Sequence, residues 1–359
     1  MGGGTWGFSP EGGRVYTAAV IKSAHITGYK CLRDVRVRLA PFTVIIGPND
    51  SGKSSFLRAL SLPWSPNSPI PPTEGAVVVS SDTASAAVSW RPKLGFRFDF
   101  QSAKGPLDEG RVRAAQGDPQ SPAYAPLPEE LHGLRTAGPL VLDASKVPRS
   151  ASIQGVSLDT IVQHQGYGVA AQMARLALSD RRGLDTIQGE MNRVTGGRVA
   201  DCVINDNGQG SYSLSFRLYD GTVIPGEDLS AGLLMYLGFL TILHRGDAPG
   251  VLLVEEPENG LHPLRLHEVV GVLRKLTERG VQVICTTHSP DLLSACDPAE
   301  VRVFLRPRPG DATEVHELPP DFTRIAMRSS LGEVWASRGE EGLLDMLPKV
   351  DPQVRAEAP

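Results

Sequence analysis

Four short stretches of this chain hold side chains whose types and spacing could do chemistry. The first is Gly47-Pro48-Asn49-Asp50-Ser51-Gly52-Lys53-Ser54, followed by Ser55. It fits G-x-x-x-x-G-K-[S/T] at every position, lies after an apolar strand and opens a helix. The glycines let backbone N–H groups close around phosphate oxygens, and the helix N-terminus adds partial positive charge. Lys53 then reaches the β- and γ-phosphates of a nucleotide, and the Ser54 hydroxyl ligates Mg²⁺. The second stretch, GVLLVEEPENGLHP, runs from Gly250 to Pro263 and ends a buried strand in Glu255 and Glu256. Side chains alternate along a strand, so one carboxylate can serve a metal while the other faces a water in line with the γ-phosphate. The third, Leu229-Ser230-Ala231-Gly232, stands before an apolar helix. Ser230 is a natural N-cap, and its hydroxyl with the N–H groups near Gly232 makes a second anion site. The fourth, VICTTHSPDLL, puts His288 just past a buried strand, where it can touch a γ-phosphate.

These groups need elements to hold them. Alternating apolar and polar residues up to Leu39 predict short antiparallel strands, and Phe42 to Ile46 a buried strand. The helix that starts near Lys53 should break at SLPWSPNSPIPP. From there to about Ala144 the chain is rich in Pro, Gly, Ser and Ala, with brief strand-like pieces and long loops. A helical pattern follows from Ser157 to about Val194, with Ser157 and Asp180 as N-caps. RVADCVIND and SYSLSFRL flank a glycine-rich turn. After Leu229 strands and helices alternate, which implies a mostly parallel sheet.

The 359 residues suffice for one large or two ordinary domains, and 41% apolar with 21% charged residues describes a globular chain. No secretion signal and no apolar run of about eighteen residues is visible, so a cytoplasmic location without a membrane span is expected. Four cysteines without a C-x-x-C pair predict reduced thiols. At a net charge of −4, a nucleic-acid partner would need local basic segments such as Arg33, Arg36 and Arg38, or Arg302, Arg306 and Arg308.

Phosphate loop, LSxG, strand with two carboxylates, then strand with histidine: in this order the motifs resemble the ABC-type ATPase heads. The resemblance is to their soluble branch, which includes the structural-maintenance-of-chromosomes, RecF and overcoming-lysogenization-defect families. EEPENGLHP, TTHSP and ITGYKCLRDVRVRLAPFTVIIGPNDSGKSS carry it, over about Val20 to Leu60 and Asp201 to Phe304. It implies that the ligands are ATP and Mg²⁺, that Glu256 is the hydrolytic base, and that Glu255 holds the metal-facing place. It implies that Ser230 and Gly232 bind the γ-phosphate held by a second subunit, that His288 is the switch histidine, and that PENGLH lies where the subunits touch. Tyr29 and Lys30 occupy the place of an aromatic-basic pair near the nucleotide, and Gln101 is a candidate for the Mg²⁺-sensing glutamine.

Three departures stand out. Glu255 replaces the usual Asp. Leu233 and Met235 stand where many relatives are polar or basic, which would weaken the contact in trans. The stretch between Ser54 and Leu229 is too short for long coiled-coil arms, and that after His288 too short for a fused TOPRIM nuclease domain.

The expected architecture is α/β: a P-loop NTPase of the ABC head type, with a mostly parallel sheet, an antiparallel β part and an inserted helical lobe. Residues 1–18 would be a flexible tail, 19–60 the N-terminal part of the head, 61–200 the variable lobe, 201–320 the C-terminal part and 321–359 a helical tail. The expected function is an ATPase that dimerises through an ATP sandwich as a switch or clamp. DNA metabolism, repair or phage defence with a separate nuclease or effector is the expected setting. The alternatives are a slow or non-hydrolysing ATP-bound scaffold and, disfavoured by EEPENGLHP, a transporter subunit.

Overall fold

The computed structural model describes residues 21–64, 69, 71–102, 105–106, 129–154, 157–245, 249–308, 310–319, 322 and 329–345. The expected tail over 1–18 and the end of the helical tail after 345 lie outside the described residues.

Strands β1 (Ser23–Tyr29) and β2 (Leu32–Arg38) form a hairpin. Strand β3 (Phe42–Ile46) is buried along its whole length and leads into the phosphate loop and helix α1 (Lys53–Ser61). α1 ends in a 3-10 turn at Leu62–Trp64, because Pro63 cannot continue the ladder. Strands β4 (Gly75–Ser80), β5 (Ala84–Arg91), β6 (Gly95–Ser102) and β7 (Gly105–Pro106) extend the hairpin into an antiparallel sheet of order β2-β1-β4-β5-β6-β7.

After β8 (Thr136–Leu140) and β9 (Ala151–Ser152) come helices α2 (Leu158–Gln163), α3 (Val169–Ser179) and α4 (Arg181–Val194). The Asp180 carboxylate caps α4, accepting from the Gly183 N–H at 3.0 Å. β10 (Val199–Asp206), β11 (Ser211–Leu218) and β12 (Val223–Pro225) form a second antiparallel sheet, joined by β9.

The chain continues through α5 (Ala231–Leu243), β13 (Val251–Glu255), α6 (Pro263–Glu278), β14 (Gln282–Thr286) and α7 (Pro290–Ser294). It ends with β15 (Val301–Leu305), β16 (Glu314–Glu317) and α8 (Leu331–Asp345). The central sheet has the order β16-β15-β3-β14-β13-β8, parallel throughout except for β16. Within 61–200, then, residues 75–106 extend the β1–β2 sheet, β8 is an edge of the central sheet, and α3 and α4 pack beside the second antiparallel sheet.

Both faces of the central sheet are covered, which is why its strands are apolar without alternation. Phe42, Val44, Ile46, Leu252, Val254 and Val283 turn toward the helices α3 to α6. Ile45, Val251, Leu253 and Ile284 turn the other way, onto Phe56, Leu57 and Leu60 of α1 and the antiparallel sheet. α5 is buried from Leu233 to Leu243 and is accordingly apolar all round. Among the described residues no helix is long and apolar enough to cross a membrane.

Candidate functional site

The phosphate loop crosses from β3 to α1 at the C-terminal end of the central sheet, the place where open α/β sheets bind ligands. Gly47 and Gly52 have φ of 150° and 105°, and Asp50 has φ 64°. A Cβ on Gly47 would lie 2.1 Å from the Phe304 carbonyl oxygen, so β15 packs where only glycine fits. Lys53 Nζ donates to the carbonyls of Gly47 at 2.7 Å and Pro48 at 2.9 Å, which holds the ammonium over the loop. A cavity of about 750 Å³ opens there, and Asn49, Asp50, Ser51, Gly52, Lys53, Ser54 and Ser55 all line it. This glycine-shaped cradle with its cation fits the phosphates of a nucleotide.

The turn between β15 and β16 clasps the loop from outside. Arg306 donates through Nη1 to the Asp50 carbonyl at 3.1 Å and through Nε to the Asp311 carbonyl at 2.9 Å. The Thr313 hydroxyl donates to the Ser51 carbonyl at 2.8 Å, and its N–H to the Cys31 carbonyl at 3.0 Å. Arg33 on β2 donates to the Gly310 carbonyl at 2.8 Å. Lys30, Arg33, Arg306 and Asp311 thereby line the same cavity.

This placement corrects the reading of Arg302 as part of a nucleic-acid segment. Arg302 is 5% exposed and donates to the carbonyls of Arg38 and Ala299, each at 2.7 Å, so it cannot meet a phosphate backbone. Arg33 and Arg306 serve the cavity. Arg36, Arg38 and Arg308 remain exposed, with Arg38 Nε 3.2 Å from Glu317.

Opposite the loop, β13 and β14 end side by side. Glu256 has φ 46° and is pinned by its N–H, which donates to the Thr286 carbonyl at 3.1 Å. Its Oε2 accepts from Asn259 Nδ2 at 2.7 Å, and its Oε1 lies 3.7 Å from His288 Nε2. Glu256 and His288 line the cavity with Lys53 and Ser54, whereas Glu255 is not among its lining residues. No cluster of three or more His, Cys, Asp or Glu that could hold a metal occurs among the described residues. A hydroxyl and one or two carboxylates beside a phosphate cradle fit Mg²⁺, which keeps most of its shell from water and phosphate oxygens.

Glu258 and Asn259 were legible only as part of a quoted motif, yet they organise this side of the site. Glu258 Oε1 accepts from Thr287 Oγ1 at 2.8 Å and from the His288 N–H at 2.5 Å. Glu258 Oε2 is buried with no hydrogen-bond partner among the described residues. Burial, and to a lesser extent the charge of Glu256, holds the Glu258 carboxyl above the usual range, against the pull of its hydrogen bonds.

Ser230 and Gly232 sit apart from the cavity. Ser230 is the exposed N-cap of α5 and makes no side-chain capping bond, which leaves its hydroxyl to the surface. A Cβ on Gly232 would lie 3.6 Å from Leu261 and 3.7 Å from Arg265, so the LSxG turn adjoins the segment after the carboxylates. Leu233 and Met235 are 9% and 3% exposed. They pack into the core, so the expected weakening of a contact in trans has no structural basis.

Lys30 lines the cavity, whereas Tyr29 is 8% exposed and packs edge-on against Trp90 at 5.9 Å. Tyr29 therefore offers the nucleotide no ring face. Gln101 is the penultimate residue of β6 in the antiparallel sheet and does not line the cavity.

Comparisons with known proteins bear on the chain's relatives and its fold. Residues 20–84, with the phosphate loop, match the family described as "AAA ATPase domain". Residues 142–294, with Ser230, Glu256 and His288, match "AAA domain, putative AbiEii toxin, Type IV TA system". The chain is 25% identical over 323 residues to an OLD nuclease of Thermus scotoductus, covering 76% of this chain and 59% of that protein. A solved Smc head bound to the C-winged-helix domain of ScpA superposes with a TM-score of 0.53 at 15% identity, over 83% of this chain and 98% of the other. The chain has an SMC head-like P-loop ATPase fold and is similar to the ABC-type heads of the SMC and OLD-like kind. A Pyrococcus furiosus Smc head bound to the C-terminal domain of ScpA gives a TM-score of 0.50 at 14% identity, over 86% and 98%. These two structural likenesses bear on the head's fold. The chain spans about three-fifths of the OLD nuclease, which leaves that protein's nuclease activity outside what the match establishes.

Proposed function

We propose that this head hydrolyses ATP and closes as a dimer around it. The observation that carries the reading is that Lys53, Ser54, Glu256 and His288, from three distant segments, line one cavity. Lys53 and the loop amides hold the phosphates. Glu256 orients and deprotonates the attacking water, and His288, 3.7 Å from it, contacts the γ-phosphate. Mg²⁺ would be held by Ser54 and the phosphates, with Glu255, outside the cavity lining, acting through water, and would neutralise charge that builds on the transferring group.

Ser230 and Gly232 complete the site of a second copy, which makes the chain a switch that ATP closes and hydrolysis opens. Its setting is DNA metabolism, repair or antiviral defence in the cytoplasm, acting with a nuclease effector. The similarity to an OLD nuclease and to a toxin-related family supports that setting. The alternative is a slow or non-hydrolysing ATP-bound scaffold; the burial of Leu233 and Met235 favours turnover over it, because neither is placed to weaken a contact in trans.

Glu256→Gln keeps the size of the side chain but cannot take the proton. It should bind ATP and Mg²⁺, release no phosphate and accumulate as a dimer on a sizing column with light scattering. Ser230→Arg in that background should return it to a monomer. An unchanged mass with ATP, with ADP and without nucleotide would remove closure from the account.

A further inference from the structure

Glu258 is a half-buried carboxylate that the roles above leave unassigned. It follows the two strand-end carboxylates by one turn, yet its bonds go to the end of the neighbouring strand. One oxygen receives both the Thr287 hydroxyl and the His288 backbone N–H, at 2.8 and 2.5 Å. The other oxygen is buried with no partner among the described residues. Such an oxygen costs folding free energy, so the arrangement calls for a compensating role.

The neighbouring bonds point to that role. Asn259 braces Glu256 at 2.7 Å, and the Glu256 N–H is fixed on the Thr286 carbonyl at 3.1 Å. The Leu261 N–H returns to the Glu258 carbonyl at 2.9 Å, and Leu261 adjoins Gly232. The segment 256–261 therefore touches the attacking-water carboxylate, the histidine backbone and the LSxG turn within six residues.

We infer that Glu258 is a positioning residue that sets His288 and ties it to the segment between Glu256 and the LSxG turn. This rests on the ATPase reading above. Displacing Glu258 would, through the His288 N–H, move the imidazole that faces the cavity. Turnover then depends on the Glu258 carboxylate, while the phosphate cradle is not disturbed. Neutral oxygen suffices for this task, because both donors use Oε1 alone.

The test uses the full chain, with steady-state phosphate release and nucleotide affinity measured separately. Glu258→Asp keeps the charge but draws the carboxylate back by one methylene. It should lower kcat on the order of 10²-fold, the effect of misplacing a reacting group by about 1 Å, and leave the Kd for ATP within about twofold. Glu258→Gln keeps length and the Oε1 acceptor, and should stay within a few-fold of wild type. In a His288→Ala background, Glu258→Asp should cost at most about another twofold, since it acts through His288.

Three results overturn the inference: Asp outperforming Gln, a full further loss in the His288→Ala background, or an affinity for ATP that falls in step with kcat. A wild type that binds ATP with Mg²⁺ but releases no phosphate is a different failure. It removes the ATPase reading, and the inference with it.

Discussion

Replacing Arg306 tests whether the clasp around the phosphate loop matters for binding. Its guanidinium spans two carbonyls, Asp50 at 3.1 Å and Asp311 at 2.9 Å, and Asp50 holds a left-handed φ of 64° that a non-glycine residue adopts at a cost. Arg306 is half-buried, so each bond contributes about 1 kcal/mol net. Arg306→Ala forfeits about 2 kcal/mol of loop order. If nucleotide binding must restore that order, affinity falls about 30-fold, at 1.4 kcal/mol per decade. Arg306→Lys separates geometry from charge. A single ammonium cannot span both carbonyls as a planar fork does, so about half the loss, roughly fivefold, should remain. Calorimetry with ATP and Mg²⁺ on the three proteins at one ionic strength reads the series. An alanine variant within twofold of wild type refutes the clasp. A lysine variant equal to wild type beside a weak alanine variant shows that positive charge alone is at work.

Lys53→Ala should abolish phosphate release and weaken ATP binding strongly, and wild-type hydrolysis in this variant would refute the phosphate-loop assignment. Arg36→Ala with Arg38→Ala should weaken duplex DNA binding and flatten its salt dependence by about two phosphate contacts, read by fluorescence anisotropy; an unchanged slope excludes this edge as a DNA contact. Arg274→Ala removes a bidentate partner of Glu300 and a cation 4.2 Å over the Phe42 ring. Because about a third of that side chain is exposed, the loss should be about 2 kcal/mol in urea unfolding, below the 3–5 kcal/mol of a fully buried pair. Glu258 has a folded pKa above its unfolded value of 4.5, so its stabilising contribution is complete below about pH 4.5 and is lost as pH rises through the folded pKa. Glu258→Gln, which stays neutral, should therefore gain melting temperature over wild type as pH rises above 4.5, and a gain that grows toward acid reverses the sign.

The groups that chemistry demands were legible because their local context is stereotyped. An apolar run into G-x-x-x-x-G-K-S announces β3, the loop and α1 together, and the Glu255-Glu256 pair announces the end of β13. The parallel sheet followed from the alternation after Leu229. Partners far apart in sequence were not legible. Arg302 and Arg306 read as a charged edge, since nothing local shows that one meets the Arg38 carbonyl and the other Asp50. A strand in a sheet covered on both faces has no solvent side, so an arginine within it must find carbonyls. For the same reason Leu233 and Met235 looked like surface substitutions, although α5 buries both. Between 75 and 106 the strands were visible piecewise, but their union with β1 depends on pairs such as Ser23 with Ser80.

Besides Lys30, two non-glycine residues with left-handed φ line the cavity: Asp50 in the loop and Glu256 at the end of β13. Such conformations persist where surrounding bonds over-determine them. Arg306 holds the first through its carbonyl, and the Thr286 carbonyl and Asn259 hold the second. The two supports come from different strands and share no residue. One orders the surface that meets phosphate in the ground state; the other orders groups needed when the γ-phosphate is transferred. Arg306 variants should accordingly change Kd with kcat preserved at saturating ATP, and Glu258→Asp should change kcat with Kd preserved. The Glu256–His288 approach lies wholly on the second side, so it cannot transmit a loosened loop. Loss of both parameters from either variant alone would place a link between the halves in the bound nucleotide itself, which touches both.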